Sequence, residues 1–138
     1  MIVIDASVVL KWFSLEEEHH EKALLLKERH VLGKERMAGP ELLLYEVANV
    51  LRIKRGDFSS AVEAFSVFCS IGVEVHSLEP TDLAEAMKLS HVYGISTYDA
   101  SYLSLARTLH ANLVTADERF LARVKGVPHV LHLKEVLK

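Results

Sequence analysis

The chain has 138 residues, half of them apolar and a quarter charged, with 16 Lys and Arg against 19 Asp and Glu and a formal net charge of −3. That length suits one domain, 1–138, able to bury a real core; the lone Cys69 excludes an internal disulfide and a cysteine-based zinc site. The charge does not suit a dedicated DNA-wrapping protein, which would be basic, yet leaves open an acid-rich enzyme that acts on nucleic acid. No apolar run approaches the roughly 20 residues of a membrane span. The start lacks the basic and apolar regions of a signal peptide. A soluble, cytoplasmic protein with no membrane partner is expected.

The first four residues, Met1-Ile2-Val3-Ile4, form an apolar run that stops at Asp5. A short run of this kind reads as a strand buried on both faces. Ser7 to Phe13 reads as a short, largely buried helix. Glu16-Glu17-Glu18 reads as the acidic first turn of a helix that runs through Ala23 to Leu26 towards His30, with His19-His20 on its solvated side. Gly33 and Gly39 bracket a basic loop with a very short strand near Met37-Ala38. Pro40 suits the first turn of a helix over 41–53, closed by Gly56. Asp57 or Ser59 caps the next helix, which ends at Gly72. Val73 to Leu78 alternates like a strand.

Thr81 is expected to cap a helix that ends at Gly94, with Asp82 in its first turn. Ser96-Thr97-Tyr98-Asp99 opens a helix that runs to Leu109. A strand over 112–116 stops at Asp117, a short helix over 118–125 stops at Gly126, and a last strand over 130–133 leads into a helical scrap over 134–138. Strands alternating with helices indicate an α/β fold with a mostly parallel sheet and right-handed crossovers. In such sheets ligands gather beyond the carboxyl ends of the strands, where Asp5 and Asp117 fall.

Asp5, Asp99 and Asp117 could each simply cap a helix. Glu46 is harder to explain in that way. On a helical wheel its neighbours in direction are Leu42, Val50 and Ile53, in the middle of an apolar stripe. Asp99 is similar, with Leu103 and Ala106 nearby. Buried carboxylates without a partner are costly, and clustered ones raise one another's pKa unless a cation neutralises them. All-oxygen ligation suits Mg²⁺ or Mn²⁺, and such a site can activate water for displacement at phosphorus. Ser7 and Thr115, each two residues from an acid, suit either helix capping and strand-end hydrogen bonding or the orienting of a ligand or its water. The eight histidines are scattered, which disfavours a histidine zinc site.

Four segments, Ile2 to Trp12, Pro40 to Leu51, Tyr98 to Ala106 and Leu113 to Asp117, resemble the PIN-domain family in order and spacing, and in particular its VapC-type toxin ribonucleases. The resemblance implies a three-layer α/β/α sandwich around a five-stranded, mostly parallel sheet. It implies a Mg²⁺- or Mn²⁺-dependent endoribonuclease with Asp5, Glu46, Asp99 and Asp117 as its metal-binding acids, leaving a 5′-phosphate and a 3′-hydroxyl. It also implies a homodimer silenced by a cognate antitoxin. Asn49, one turn from Glu46, matches a position often polar in the family. Lys11, Lys34, Arg36, Arg119 and Arg123 are candidate phosphate contacts, and Tyr98 and Trp12 candidate base contacts, Trp12 being equally suited to the core.

The rival readings are a PIN fold that binds RNA or protein without cutting, and a PIN nuclease outside toxin–antitoxin systems. A phosphorylation receiver is disfavoured because Asp5 has no acidic neighbour and Val73–Leu78 is followed by Glu79-Pro80. A phosphatase with an Asp-x-Asp nucleophile is disfavoured because position 7 is Ser.

Overall fold

A computed structural model describes residues 1–137. Five parallel strands form one sheet: β1 (Ile2–Ile4), β2 (Met37–Pro40), β3 (Glu74–His76), β4 (Asn112–Thr115) and β5 (Val130–His132), in the order β3-β2-β1-β4-β5. β1 lies at the centre, and its three aliphatic residues are buried throughout, as a strand covered on both faces and paired on both edges requires. The chain winds outward from β1 to β3, crosses back to β4 and continues to β5. That reversal places the topological switch between β1 and β4. The register pairs Ile4 with Val114, so Asp5 emerges beside Thr115 at the carboxyl pole.

Seven helices cover the sheet: α1 (Ala6–Leu10), α2 (His20–Val31), α3 (Leu42–Arg55), α4 (Phe58–Ile71), α5 (Pro80–Tyr93), α6 (Thr97–Thr108) and α7 (Glu118–Arg123). Right-handed crossovers put α1 to α4 on one face and α5 to α7 on the other. The packing of α3 on α1 and α4, and of α5 on α6, agrees with that division. α6 crosses β1, β2 and β4, and its residues from Ala100 to Ala106 are all buried. Each fully buried aliphatic side chain here, such as Ile4, Leu43, Leu103 and Leu113, contributes about 1.5–3 kcal/mol.

Several local expectations are corrected. Glu16 to Glu18 lie in turns ahead of α2, whose first turn carries Glu21 instead; Glu17 pairs there with Lys11 and Lys54. His20 is not solvated but 8% exposed, its Nδ1 set against the Lys11 carbonyl. Pro40 ends β2 rather than starting a helix. α5 is capped by Glu79, not Thr81: Pro80 takes the first position and the Glu79 N–H donates to Asp82 Oδ2 at 3.0 Å. The scrap after β5 is a 3-10 turn over Leu133–Glu135, and Lys138 lies outside the described residues.

Gly39, in the middle of β2, has no room for a side chain. A Cβ there would stand 2.7 Å from Leu43 Cδ2 and 3.4 Å from the Ile4 carbonyl oxygen. Because Leu43 is fully buried, Gly39→Ala is expected to cost about 1–3 kcal/mol by overpacking. Denaturant melts check this. An unchanged midpoint would mean that Leu43 yields freely.

Candidate metal centre

The carboxyl pole of the sheet gathers the four acids from four different elements. Asp5 follows β1 and caps α1; its Oδ1 accepts the Ser7 N–H at 3.0 Å. The Ser7 hydroxyl donates to the same oxygen, and the Thr115 hydroxyl donates to Oδ2. Both hydroxyls are themselves held by backbone donors, Ser7 from across the switch point and Thr115 from its own segment. The Ala116 N–H donates to Ser7 Oγ at 2.8 Å and the Asp117 N–H to Thr115 Oγ1 at 3.0 Å. Each hydroxyl has a single proton, and the backbone donors leave that proton free for Asp5. Ser7 and Thr115 therefore fix the orientation of the Asp5 carboxylate, with both of its oxygens engaged.

Asp117 caps α7, its Oδ1 accepting from the N–H groups of Arg119 and Phe120 at 3.0 and 3.1 Å. Asp99 lies in the first turn of α6, where its N–H donates to Ser96 Oγ at 3.0 Å. Capping is therefore real for Asp5 and Asp117, and it coexists with their convergence on the pole. Glu46 is half-buried on α3. The buried row of that helix is Leu43, Val47 and Leu51. The row of Leu42, Glu46, Val50 and Ile53 borders it, with Ile53 62% exposed, so Glu46 stands at the edge of the apolar stripe rather than in its middle.

Electrostatics tie these acids into one group. Burial pushes the Asp5 carboxyl up to about 6; the Ser7 and Thr115 hydrogen bonds oppose the rise and Asp117 adds to it. Burial also raises Asp99, with Asp117 adding to the effect, and raises Glu46, with Asp99 adding to it. Asp5, Asp117, Asp99 and Glu46 thus form a chain of mutually repelling neighbours. None of the ion pairs among the described residues involves any of them. Nor are three His, Cys, Asp or Glu side chains already drawn into a cage among the described residues; these like charges stand apart. With three of its acids partly buried and Asp117 at the exposed rim, uncompensated and oxygen-only, the set fits a hard divalent cation.

One participant escaped the sequence reading. Tyr102, 3% exposed on α6, donates its hydroxyl to Glu46 Oε1 at 2.7 Å. Burial and the surrounding carboxylates push that phenol far above its ordinary range, so it stays a donor. The available signal was its place three residues after Asp99, on the same side of one helix.

The remaining candidates divide by position. Asn49 is exposed one turn from Glu46 and makes no side-chain hydrogen bond to the acids among the described residues. Lys11 is engaged by Glu17 at 3.5 Å. Arg119 and Arg123 lie exposed on α7, directly after Asp117. Lys34 and Arg36 precede β2 and lie at the amino pole, the opposite end from the acids, where Arg36 pairs with Glu74 at 2.6 Å. In a parallel sheet a loop that enters a strand cannot reach that strand's carboxyl end. Trp12 is core, its Nε1 donating to the Ala23 carbonyl at 2.9 Å. Tyr98 is exposed and, with Tyr45, borders a groove of about 330 Å³ lined by Leu42, Leu78 and Leu83.

A family model described as PIN domain matches residues 2–127. "Ribonuclease VapC3" of Pyrobaculum aerophilum is 31% identical over 125 residues, covering 86% of this chain and 90% of that protein. "Exonuclease VapC9" of the same organism is 32% identical over 104 residues, covering 72% and 75%. Among solved structures, a toxin–antitoxin complex from Klebsiella pneumoniae contains a chain of the same fold, with a TM-score of 0.68, 19% identity and coverage of 96% and 98%. The five-stranded sheet, the matched span and these relatives together place the chain in the PIN domain family, on its VapC-type branch.

Proposed function

We propose that this protein hydrolyses RNA phosphodiester bonds internally, with Mg²⁺ or Mn²⁺ held among Asp5, Glu46, Asp99 and Asp117, as the toxin of a toxin–antitoxin pair. The observation that carries this reading is the run of buried, raised and unpaired carboxylates at the switch point. A cation held there would neutralise the acids and supply the Lewis acidity that activates water and offsets charge at phosphorus. Asp5, clamped by Ser7 and Thr115, provides the fixed wall of the site. Asp99 and Glu46 approach from the helices on opposite faces of the sheet. Asp117 stands across from Asp5, with α7 directing Arg119 and Arg123 outward as candidate phosphate contacts. The exposed rings of Tyr98 and Tyr45 offer surfaces on which an unpaired base can stack.

The names of the relatives support nuclease chemistry, one as a ribonuclease and one as an exonuclease. Assembly with an antitoxin is supported by the VapC-type relatives and by the toxin–antitoxin setting of the Klebsiella neighbour. A homodimer follows from the same kinship. The test is incubation with a mixed linear RNA pool and a circular RNA, with Mg²⁺ or Mn²⁺. The expected result is opening of the circle, 5′-phosphate ends, and complete loss of cleavage in EDTA. Degradation of linear RNA alone would indicate exonucleolytic action. Binding without cutting would indicate a silent module.

A further inference from the structure

Glu46 differs from Asp5 in how its two oxygens are used. Both Asp5 oxygens accept hydrogen bonds. In Glu46 only Oε1 does, from Tyr102 at 2.7 Å, and among the described residues Oε2 accepts none. A phenol has one proton to give, and Tyr102 is too buried for its ring to swing away without disturbing the core cluster it belongs to. The bond also joins α3 to α6 three residues after Asp99, so it fixes the reach of Glu46 relative to Asp99 as well as its rotation.

We propose that Tyr102 is a positioning residue that holds the Glu46 carboxylate in one rotation, Oε1 turned to the phenol and Oε2 left without a partner among the described residues, and thereby biases the acidic site towards a small octahedral cation and against Ca²⁺. The inference rests on the metal-centre reading above. Mg²⁺ demands near-ideal octahedral geometry with few protein oxygens, whereas Ca²⁺ takes six to eight oxygens and readily uses both oxygens of a carboxylate. An oxygen that accepts one hydrogen bond keeps a lone pair, so the phenol acts by holding rotation: with Oε1 turned to Tyr102, the carboxylate is not free to swing both oxygens round onto one larger ion. Without the phenol, Glu46 can turn and offer both.

The test is calorimetric titration of Mg²⁺, Mn²⁺ and Ca²⁺ into the protein without RNA, for the natural chain, Tyr102→Phe, Glu46→Ala and the double variant. Tyr102→Phe is expected to weaken Mg²⁺ binding about tenfold, the lower end for loss of a residue that orients a ligand. Ca²⁺ binding should not weaken, so the Ca²⁺-to-Mg²⁺ ratio of Kd values falls about tenfold. In the Glu46→Ala background the Tyr102 substitution should change nothing further. Glu46→Asp, which keeps Tyr102 but is too short to meet it, should show the same loss of discrimination and serves if Tyr102→Phe fails to fold. An equal shift for Mg²⁺ and Ca²⁺, or an effect that persists without Glu46, would overturn the role of Tyr102 while leaving the metal centre standing. A natural chain that binds none of the three ions would overturn both.

Discussion

Asp5→Asn is expected to lower RNA cleavage by at least about a hundredfold, the scale of losing one group that stabilises a transition state, while raising thermal stability at neutral pH. The two effects have one cause. Burial holds the Asp5 carboxyl at about 6, above the ordinary 3.8, so the fold favours the protonated acid over the carboxylate. That preference stabilises the protein fully below pH 3.8 and is lost as pH rises through 6. At pH 7 the ionised group costs about 3 kcal/mol relative to a neutral one, at 1.36 kcal/mol per unit. An asparagine carries no such charge. Its carbonyl oxygen can accept from the Ser7 N–H, and the Thr115 hydroxyl can turn to accept from its amide. The variant should melt up to about 10 °C higher at pH 7 without added metal. The gain should shrink to nothing below pH 4. A variant that cleaves undiminished, or whose stability relative to the natural chain does not change with pH, contradicts this account of Asp5.

The second large effect is a proton-linked affinity for the cation. Asp5 is pushed up to about 6, and Glu46 and Asp99 are raised with it by burial and by their neighbours. A divalent ion must displace whatever protons these carboxyls hold. Below pH 6 the apparent Kd for Mn²⁺ should therefore rise about tenfold per pH unit for each proton displaced, and above pH 8 it should level off. Calorimetry in two buffers of different ionisation enthalpy should show more protons released per ion near pH 5.5 than at pH 8. Affinity that stays flat from pH 5 to 8 would mean that the ion does not bind at these acids.

Much of this pole was legible in the sequence because its acids sit at positions that local rules already mark. Asp5 and Asp117 follow apolar runs, and a strand buried on both faces ends at or just before such a charged residue. Gly56, Gly72 and Gly94 stop α3, α4 and α5 with positive φ of 77°, 76° and 65°, conformations that glycine adopts without strain. The side chain of Ser96 caps α6 as its spacing to Asp99 suggests.

What stayed hidden depends on the third dimension. Pro40 is equally suited to a helix start and to the end of a strand, and pairing with β3 decides it, Pro40 lying opposite His76. Thr81 lost the cap to Glu79 because Pro80, fixed in φ, takes the first helical position and draws Asp82 back to the Glu79 N–H. The Lys34 and Arg36 loop is basic, but which end of the sheet it occupies follows only once β2 is known to run parallel to β1. The wheel that set Glu46 mid-stripe assumed that the apolar row was the buried row, whereas the core selects Leu43, Val47 and Leu51. The Tyr102 bond to Glu46 spans 56 residues and no periodicity announces it.

Asp5, Glu46, Asp99 and Asp117 are proposed to form one divalent-cation site. Its most direct test is an anomalous difference map from crystals soaked in Mn²⁺ above pH 7. The expected result is a strong peak among these carboxylates, about 2.0–2.3 Å from oxygens of at least two of them, and no such peak in Asp5→Asn crystals treated in the same way. A peak at the histidines, or none at this pole while Mn²⁺ sustains cleavage in solution, would contradict it.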